Sequence, residues 1–242
     1  MTELLQARGL AKSFRGLRAV AGASFDVAEG EIAALIGPNG AGKTTVFNLI
    51  AGVYAPDAGT IHFAGRPIHG LRPDQVCAAG IGRTFQLVKP FPALSVLDNV
   101  VVGALRVERT VAGARAAARV VLDRLELEAR AAQPAATLTL SDRRRLEIAR
   151  ALATRPRLLL LDEVMAGLRP TECDQLVEVF RDLHRSEGLT ILLIEHVMRA
   201  VMALAQRIAV LDRGEVIATG TPGEVVHDPA VLSCYLGEDT EL

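Results

Sequence analysis

The feature that most constrains the fold is a glycine-rich segment that directly follows an apolar run. Residues 37–44 read Gly-Pro-Asn-Gly-Ala-Gly-Lys-Thr and come after the run Ile32–Ile36. They match G-x-x-x-x-G-K-[ST], in which glycines let backbone N–H groups face phosphates, Lys43 reaches phosphate oxygens and the Thr44 hydroxyl can bind magnesium. A loop that only joined a strand to a helix would not need Lys-Thr at this spacing. The segment therefore predicts a nucleoside triphosphate site.

Strand-like runs recur along the chain with helical patterns between several of them, which predicts an α/β core. The runs are residues 32–36, 158–161, 190–194 and 207–211. Strand signals fade between residues 90 and 157, and residues 111–130 are rich in Ala, Arg, Glu and Leu. We predict one domain over residues 1–242, with a nucleotide-binding core (1–89 and 158–212), an inserted helical subdomain (90–157) and a C-terminal extension (213–242).

Composition argues against several other classes of protein. The 242 residues are 50% hydrophobic, yet no apolar run approaches the roughly 20 residues that span a bilayer. The N-terminus lacks the layout of a secretory signal, so we expect a cytoplasmic chain. A net charge of -1 and the absence of Trp disfavour nucleic-acid binding. The three cysteines are widely spaced and predict reduced structural thiols.

Two carboxylates follow the apolar run 158–161, at the end of a strand where an open α/β sheet places its ligand chemistry. Asp162 is predicted to hold magnesium. Glu163 is predicted to orient or deprotonate the water that attacks the γ-phosphate. Acidic residues also end strands as solvated or capping groups, but the phosphate loop upstream favours the functional interpretation.

With these motifs in this order, the chain resembles the ABC transporter ATPase family over nearly its whole length. The resemblance implies a P-loop NTPase fold: a RecA-like core with an antiparallel β subdomain and an inserted α-helical subdomain. Phe14 matches the aromatic that stacks on adenine, with a core position as the alternative. Gln86, in Arg83-Thr84-Phe85-Gln86, matches the glutamine that touches magnesium or the attacking water and faces the membrane partner. His196 matches the histidine that donates to the γ-phosphate. The residues implied to hold the nucleotide in the phosphate loop are Asn39, Gly40, Ala41, Gly42, Lys43, Thr44 and Thr45.

One motif departs from the family pattern. Leu-Ser-Gly-Gly-Gln, which caps the γ-phosphate of ATP on the partner chain, is here Leu138-Thr139-Leu140-Ser141-Asp142. Thr139 keeps the hydroxyl, and Thr139 and Ser141 are expected to contact the nucleotide, whereas Asp142 brings negative charge toward it. In the alternative interpretation Thr139 caps a helix, Asp142 lies in its first turn, and residues 143–145, all Arg, compensate the charge.

A second departure lies after the two carboxylates. Val164 stands where the family has proline, and Arg169 where it has asparagine or aspartate. Because this loop faces the second ATPase chain, both departures again fall in the half of the site that serves the partner. We expect intact ATP binding and slower hydrolysis.

Within the family, four segments look most like branched-chain amino acid importer ATPases: residues 83–86, 145–150, 194–198 and 235–238. The resemblance implies ATP and Mg²⁺, integral membrane permease subunits, a second ATPase chain of the same or another kind, a solute-binding protein, and a peripheral place on the cytoplasmic face of the inner membrane. Residues 235–239 are also similar to the ATPase of lipopolysaccharide export, so the direction of transport stays open. A nucleotide-sensing subunit with little hydrolysis is a further alternative, whereas a soluble ABC protein of translation or DNA repair is disfavoured by the single ATPase unit.

Overall fold

The computed structural model describes residues 2–85 and 90–236, so Gln86 and residues 237–242 lie outside the description. The strands are β1 (Glu3–Phe14), β2 (Leu17–Ala28), β3 (Ile32–Ile36), β4 (Ala58–Phe63), β5 (Arg66–Pro67), β6 (Ile81–Arg83), β7 (Leu158–Asp162), β8 (Thr190–Ile194), β9 (Arg207–Asp212) and β10 (Glu215–Gly220). The helices are α1 (Lys43–Ile50), α2 (Pro73–Ala79), α3 (Val96–Ala104), α4 (Val111–Arg124), α5 (Leu140–Leu152), α6 (Pro170–Glu187), α7 (Met198–Leu204), α8 (Pro222–Val225) and α9 (Pro229–Leu236).

The strands form two sheets. One has the order β2-β1-β4-β5 and is antiparallel. The other has the order β10-β9-β3-β8-β7-β6, in which β6, β7, β8, β3 and β9 run parallel and β10 is antiparallel. The predicted α/β fold with an antiparallel subdomain is therefore confirmed. All four predicted strands are present, and β7 and β9 each extend one residue further than predicted.

The central parallel strands are buried on both faces, which explains their continuous apolar sequences. In β3, Ile32, Ala34 and Ile36 pack into a core shared with α3, α5 and α6, while Ala33 and Leu35 pack into a second core shared with α1 and the antiparallel sheet. Strands β7 and β8 alternate in the same way. Because the parallel strands are held by two cores, their C-terminal ends are fixed along one edge of the sheet.

Residues 90–157 form a helical layer in which an isolated bridge is the only β pairing. Ser95, Thr110 and Thr139 begin α3, α4 and α5, each accepting a hydrogen bond from a backbone N–H in the first turn. The helical pattern of residues 111–130 is interrupted, because α4 ends at Arg124 and Glu126 takes a φ of 57° before a short 3-10 turn.

None of the helices among the described residues has the length and apolar character needed to cross a membrane. Cys77, Cys173 and Cys234 are not joined in a disulfide, which agrees with the prediction of reduced thiols. The C-terminal helix α9 packs against β10.

The core between the helical layer and the sheet should dominate stability. Phe180 on α6 is fully buried in it, so Phe180→Ala is expected to lower the free energy of unfolding by about 3–5 kcal/mol through lost burial and a residual cavity. Phe91→Ala is the matched control, because this phenylalanine is 43% exposed and should cost less than about 1 kcal/mol. Urea unfolding of both variants tests the assignment, which equal losses would contradict.

Candidate nucleotide site

The loop between β3 and α1 is held by close backbone contacts that only glycine permits. Gly37 has a φ of 147°, and a Cβ there would lie 1.9 Å from the carbonyl oxygen of Leu211 on β9. Gly42 has a φ of 104°, and a Cβ there would lie 2.3 Å from the carbonyl oxygen of Ala19 on β2. The glycines therefore serve packing between elements as well as the turn.

The first turn of α1 collects the groups that suit a phosphate. Lys43 is 6% exposed, and its Nζ donates to the carbonyl oxygens of Gly37 at 2.6 Å and Pro38 at 2.8 Å, which keeps the ammonium inside the loop. Thr44 and Thr45 are half-buried beside it. No acidic residue lies in this turn. A cation and the helix N-terminus together favour an anion here.

Asp162 ends β7, next to the C-terminal edge at which the phosphate loop leaves β3. It is fully buried, and its Oδ2 accepts from Nη2 of Arg83 at 2.9 Å. The other amino group of Arg83 donates to Oδ1 of Asn48 on α1 at 2.7 Å, so Asp162 is linked to the helix that follows the phosphate loop. Burial raises the pKa of Asp162 above its usual range, and the Arg83 guanidinium acts in the opposite direction.

The surroundings of Asp162 fit a magnesium ion. Within the described part of the chain, its Oδ1 is buried and receives no hydrogen bond. A buried carboxylate oxygen without a donor is a ligand that a hard divalent cation satisfies. Thr44, in the first turn of α1, is the second described residue that could hold the ion. The predicted ligand Gln86 lies outside the described residues.

Glu163 directly follows Asp162, the last residue of β7. Its φ is 51°, a left-handed conformation that is rare for a residue with a side chain. Its backbone N–H donates to the carbonyl of Ile194 at 2.9 Å, which continues the pairing of β7 with β8. Nε2–H of His196 donates to Oε1 of Glu163 at 2.9 Å, because an ionised carboxylate can only accept. The structure thus brings two of the predicted catalytic side chains into contact.

Glu195, between β8 and His196, did not enter the sequence predictions. It is 2% exposed, and its Oε1 accepts from the backbone N–H of Met165 at 2.9 Å. Burial raises the pKa of Glu195 to about 7, helped by the nearby charge of Glu163 and opposed by the N–H groups of Met165 and His196 and by Arg144. The sequence signal that could have identified Glu195 is a carboxyl residue directly after the apolar strand β8.

Phe14 lies at the end of β1 and is 36% exposed, so the core alternative is wrong. Its ring meets Tyr54 edge to face, with centroids 5.1 Å apart, and Nζ of Lys12 lies 5.7 Å from its centroid. An exposed face on this ring is compatible with stacking on a planar base.

The altered signature segment lies at the start of α5. Thr139 Oγ1 accepts from the backbone N–H of Asp142 at 3.2 Å and donates to its Oδ2 at 2.6 Å, so the threonine caps the helix. Asp142 also forms an ion pair with Arg130. Ser141 is half-buried in the same turn. Within the described residues, the hydrogen bonds and ion pairs of Thr139 and Asp142 do not reach residues 37–45.

The ion-pair partner that the structure shows for Asp142 is Arg130, which lies outside the expected run of residues 143–145. Arg143 donates to the Ala136 carbonyl, and Arg145 pairs with Glu126. Arg144 is buried, and its guanidinium points toward the Ala166 carbonyl at 3.5 Å. The ion pair that the structure shows for Asp142 is thus with Arg130, whereas Arg143 and Arg145 have other partners. Arg130 reaches Asp142 because the 3-10 turn after α4 lies against the first turn of α5, a contact without a signal in the local sequence.

The fold and the site together define a P-loop nucleotide-binding protein. A family model described as ABC transporter matches residues 20–166, and one described as Branched-chain amino acid ATP-binding cassette transporter matches residues 215–241. The chain belongs to the ABC transporter family.

Similar proteins span nearly the whole chain. The high-affinity branched-chain amino acid transport ATP-binding protein LivG of Salmonella typhimurium is 42% identical over 97% of this chain and 98% of its own. BraF of Pseudomonas aeruginosa, which carries the same description, is 39% identical over the same shares. The lipopolysaccharide export system ATP-binding protein LptB of Escherichia coli is 37% identical over 98% of this chain and 99% of its own.

Solved structures agree with the fold. An ATP-binding cassette of an ABC transporter in its ADP conformation has a TM-score of 0.88 and 29% identity, covering 98% of this chain and 100% of its own. A nucleotide-free ATP-binding cassette has a TM-score of 0.88 and 28% identity, covering 97% and 99%.

The buried Glu195 predicts a pH dependence of stability. In the unfolded chain this carboxyl ionises near 4.5, whereas the folded protein keeps the proton until about pH 7. The stability that protonation contributes is complete below pH 4.5 and is lost as the pH rises to 7. Glu195→Gln lacks this loss. Between pH 4.5 and 8 the wild type should therefore lose about 2–3 kcal/mol more unfolding free energy than Glu195→Gln.

Urea unfolding at both pH values measures this difference, and subtracting the two proteins cancels the titration of the other groups. An equal pH response of the wild type and Glu195→Gln would show that Glu195 is ionised throughout.

Proposed function

We propose that this chain is the ATP-hydrolysing subunit of an ABC transporter that energises import of branched-chain amino acids or related small solutes. The observation that carries the ATPase assignment is the contact between Glu163 and His196, at the sheet edge where the phosphate loop begins. The substrate class is supported by the relatives described as branched-chain amino acid transport proteins and by the match of residues 215–241. In this proposal the chain lies on the cytoplasmic face of the inner membrane.

Hydrolysis would use the chain's own side chains as follows. The phosphate loop and Lys43 hold the β- and γ-phosphates, and Phe14 stacks on the adenine. Glu163 accepts a proton from water while the water oxygen bonds to the γ-phosphorus. The bond from that phosphorus to the β–γ bridging oxygen breaks, and its electron pair leaves with ADP. With ATP bound, Nε2–H of His196 would turn from Oε1 of Glu163 to a γ-phosphate oxygen, which leaves Glu163 able to accept the proton from water.

Magnesium held by Thr44 and Asp162, with Gln86 as a further ligand, would neutralise phosphate charge during this step. Arg83 positions Asp162 for that role, because it occupies Oδ2 and leaves Oδ1 available.

The permease would dock in a groove between the sheet and the helical layer. A cavity of about 260 Å³ lies there, and among the side chains that line it Val53, Phe85 and Val102 are exposed. Arg83 also lines this cavity and bonds Asp162. An apolar segment of the permease seated on Phe85 would therefore touch the residue that orients the magnesium ligand. We assign this groove to the permease rather than to the solute-binding protein because of that link.

A second ATPase chain would complete each nucleotide site. Thr139 caps α5 and Ser141 lies in its first turn. The N-terminus of this helix would face the γ-phosphate of ATP on the partner. Here the Thr139 hydroxyl donates to Asp142, which occupies its single proton. This chain would thus bind its own ATP with the full set of family residues, and it would contact the ATP of its partner through the altered signature segment.

Replacing the general base should separate binding from hydrolysis. Glu163→Gln is expected to reduce ATP turnover at least about 100-fold, because the amide cannot accept the proton from water, while ATP binding persists. Steady-state hydrolysis would be measured for both proteins alone and with the membrane partner in lipid. Wild-type turnover no higher than that of Glu163→Gln in both settings, with ATP still bound, would refute the ATPase and favour a nucleotide-sensing subunit.

The altered signature predicts slow turnover. Ser141→Gly combined with Asp142→Gln should raise the ATPase rate several-fold. The double variant removes a carboxylate that repels the nucleotide by up to about 1 kcal/mol, and it frees the Thr139 hydroxyl. The matched control is Asp182→Asn, which removes an exposed carboxylate on α6 and should leave the rate unchanged. An unchanged rate in the double variant would show that the signature does not limit hydrolysis.

The alternative function is the ATPase of a lipopolysaccharide-export-type system, favoured by the 37% identity to LptB over nearly both chains. Transport assays on the purified complex distinguish the two: uptake of leucine into vesicles supports the import proposal, and ATPase stimulation by lipopolysaccharide supports the alternative.

A further inference from the structure

The loop that follows Glu163 and the segment that carries His196 are joined by one buried carboxyl. Glu195 precedes His196 directly, and its Oε1 accepts the backbone N–H of Met165, two residues beyond Glu163, at 2.9 Å. Met165 is itself 1% exposed. A shift of either segment would therefore move the other, because the hydrogen bond is shielded from water and costly to break.

Titratable and charged side chains from several elements surround Glu195. Glu163 from the catalytic loop and Arg144 from α5 both act on its charge, and Cys173 from α6 feels that charge in turn. Arg199 from α7 also acts on Cys173. A neutral acceptor could hold the Met165 N–H without placing a charge out of water. A carboxyl at this position thus has an electrostatic consequence for Glu163 that an amide would lack.

We propose that Glu195 is a positioning residue for ATP hydrolysis, whose buried carboxylate holds residues 164–169 in register with His196 and places a negative charge behind Glu163. The inference rests on the proposed ATPase function and adds a residue to that site. A negative charge on Glu195 disfavours the ionised form of Glu163, so Glu163 accepts a proton from the attacking water more readily. The hydrogen bond keeps the partner-facing loop at a fixed distance from His196.

The test is the pH profile of ATP hydrolysis for the transporter complex between pH 6 and 8.5. Because burial raises the pKa of Glu195 to about 7, the wild-type kcat should rise across this range as Glu195 ionises. Glu195→Gln should lower kcat about tenfold at pH 8 and should approach the wild type at pH 6, where both side chains are neutral. The KM for ATP should change less than about twofold, since the phosphate loop is untouched.

Two further variants distinguish the effect of the charge on Glu195 from the effect of its hydrogen bond, and from the effect of removing any buried carboxyl group. Glu195→Asp keeps the charge but shortens the side chain, so its kcat should be intermediate and still rise with pH. Glu31→Gln is the matched control: Glu31 is also buried and accepts a backbone N–H, that of Ala28, at 2.7 Å, but it precedes β3 at the end of the strand opposite the phosphate loop. Its kcat profile should follow the wild type.

Parallel kcat profiles of the wild type and Glu195→Gln, or a KM that changes as much as kcat, would overturn the inference while leaving the ATPase assignment in place. Wild-type turnover no higher than that of Glu163→Gln would remove both.

Discussion

The buried ion pair between Arg83 and Asp162 joins the parts of the molecule on which the site depends. Arg83 ends β6, Asp162 ends β7, and the same guanidinium reaches Asn48 on α1. Breaking such a pair by removing one partner costs about 3–5 kcal/mol, because the other charge stays buried. The arrangement therefore fixes the helix after the phosphate loop against the strand that carries the carboxylates. It also leaves one oxygen of Asp162 available to a cation.

The same guanidinium connects this centre to the surface proposed for the permease. Arg83 lines the groove and lies 5.5 Å from the exposed ring of Phe85, the last residue described before Gln86. Movement at the groove would thus be transmitted through one side chain rather than through a long chain of contacts. Directly after β8, Glu195 joins the segment that carries His196 to the loop after Glu163 through the backbone N–H of Met165.

The departures in the signature segment have a local structural solution. Asp142 lies in the first turn of α5, where a negative charge is favourable, and Arg130 neutralises it. The helix is therefore well capped by itself, and the altered residues do not disturb the fold of the helical layer. In the proposed function, their effect would fall on a nucleotide bound by another chain, so stability and function would be separable at these positions.

Local sequence patterns were enough to predict the phosphate loop, four of the five parallel strands, and the candidates Asp162, Glu163 and His196. Each of these features depends on a short segment of the chain, because a glycine turn, an apolar strand and the polar residue at its end are neighbours in sequence. The sequence did not predict that Arg83 holds Asp162, that Arg130 forms an ion pair with Asp142, or that Glu195 reaches Met165. These contacts join residues 12 to 79 positions apart. They depend on how strands and helices pack, and local patterns do not record which distant backbone N–H or carboxylate a buried side chain will meet.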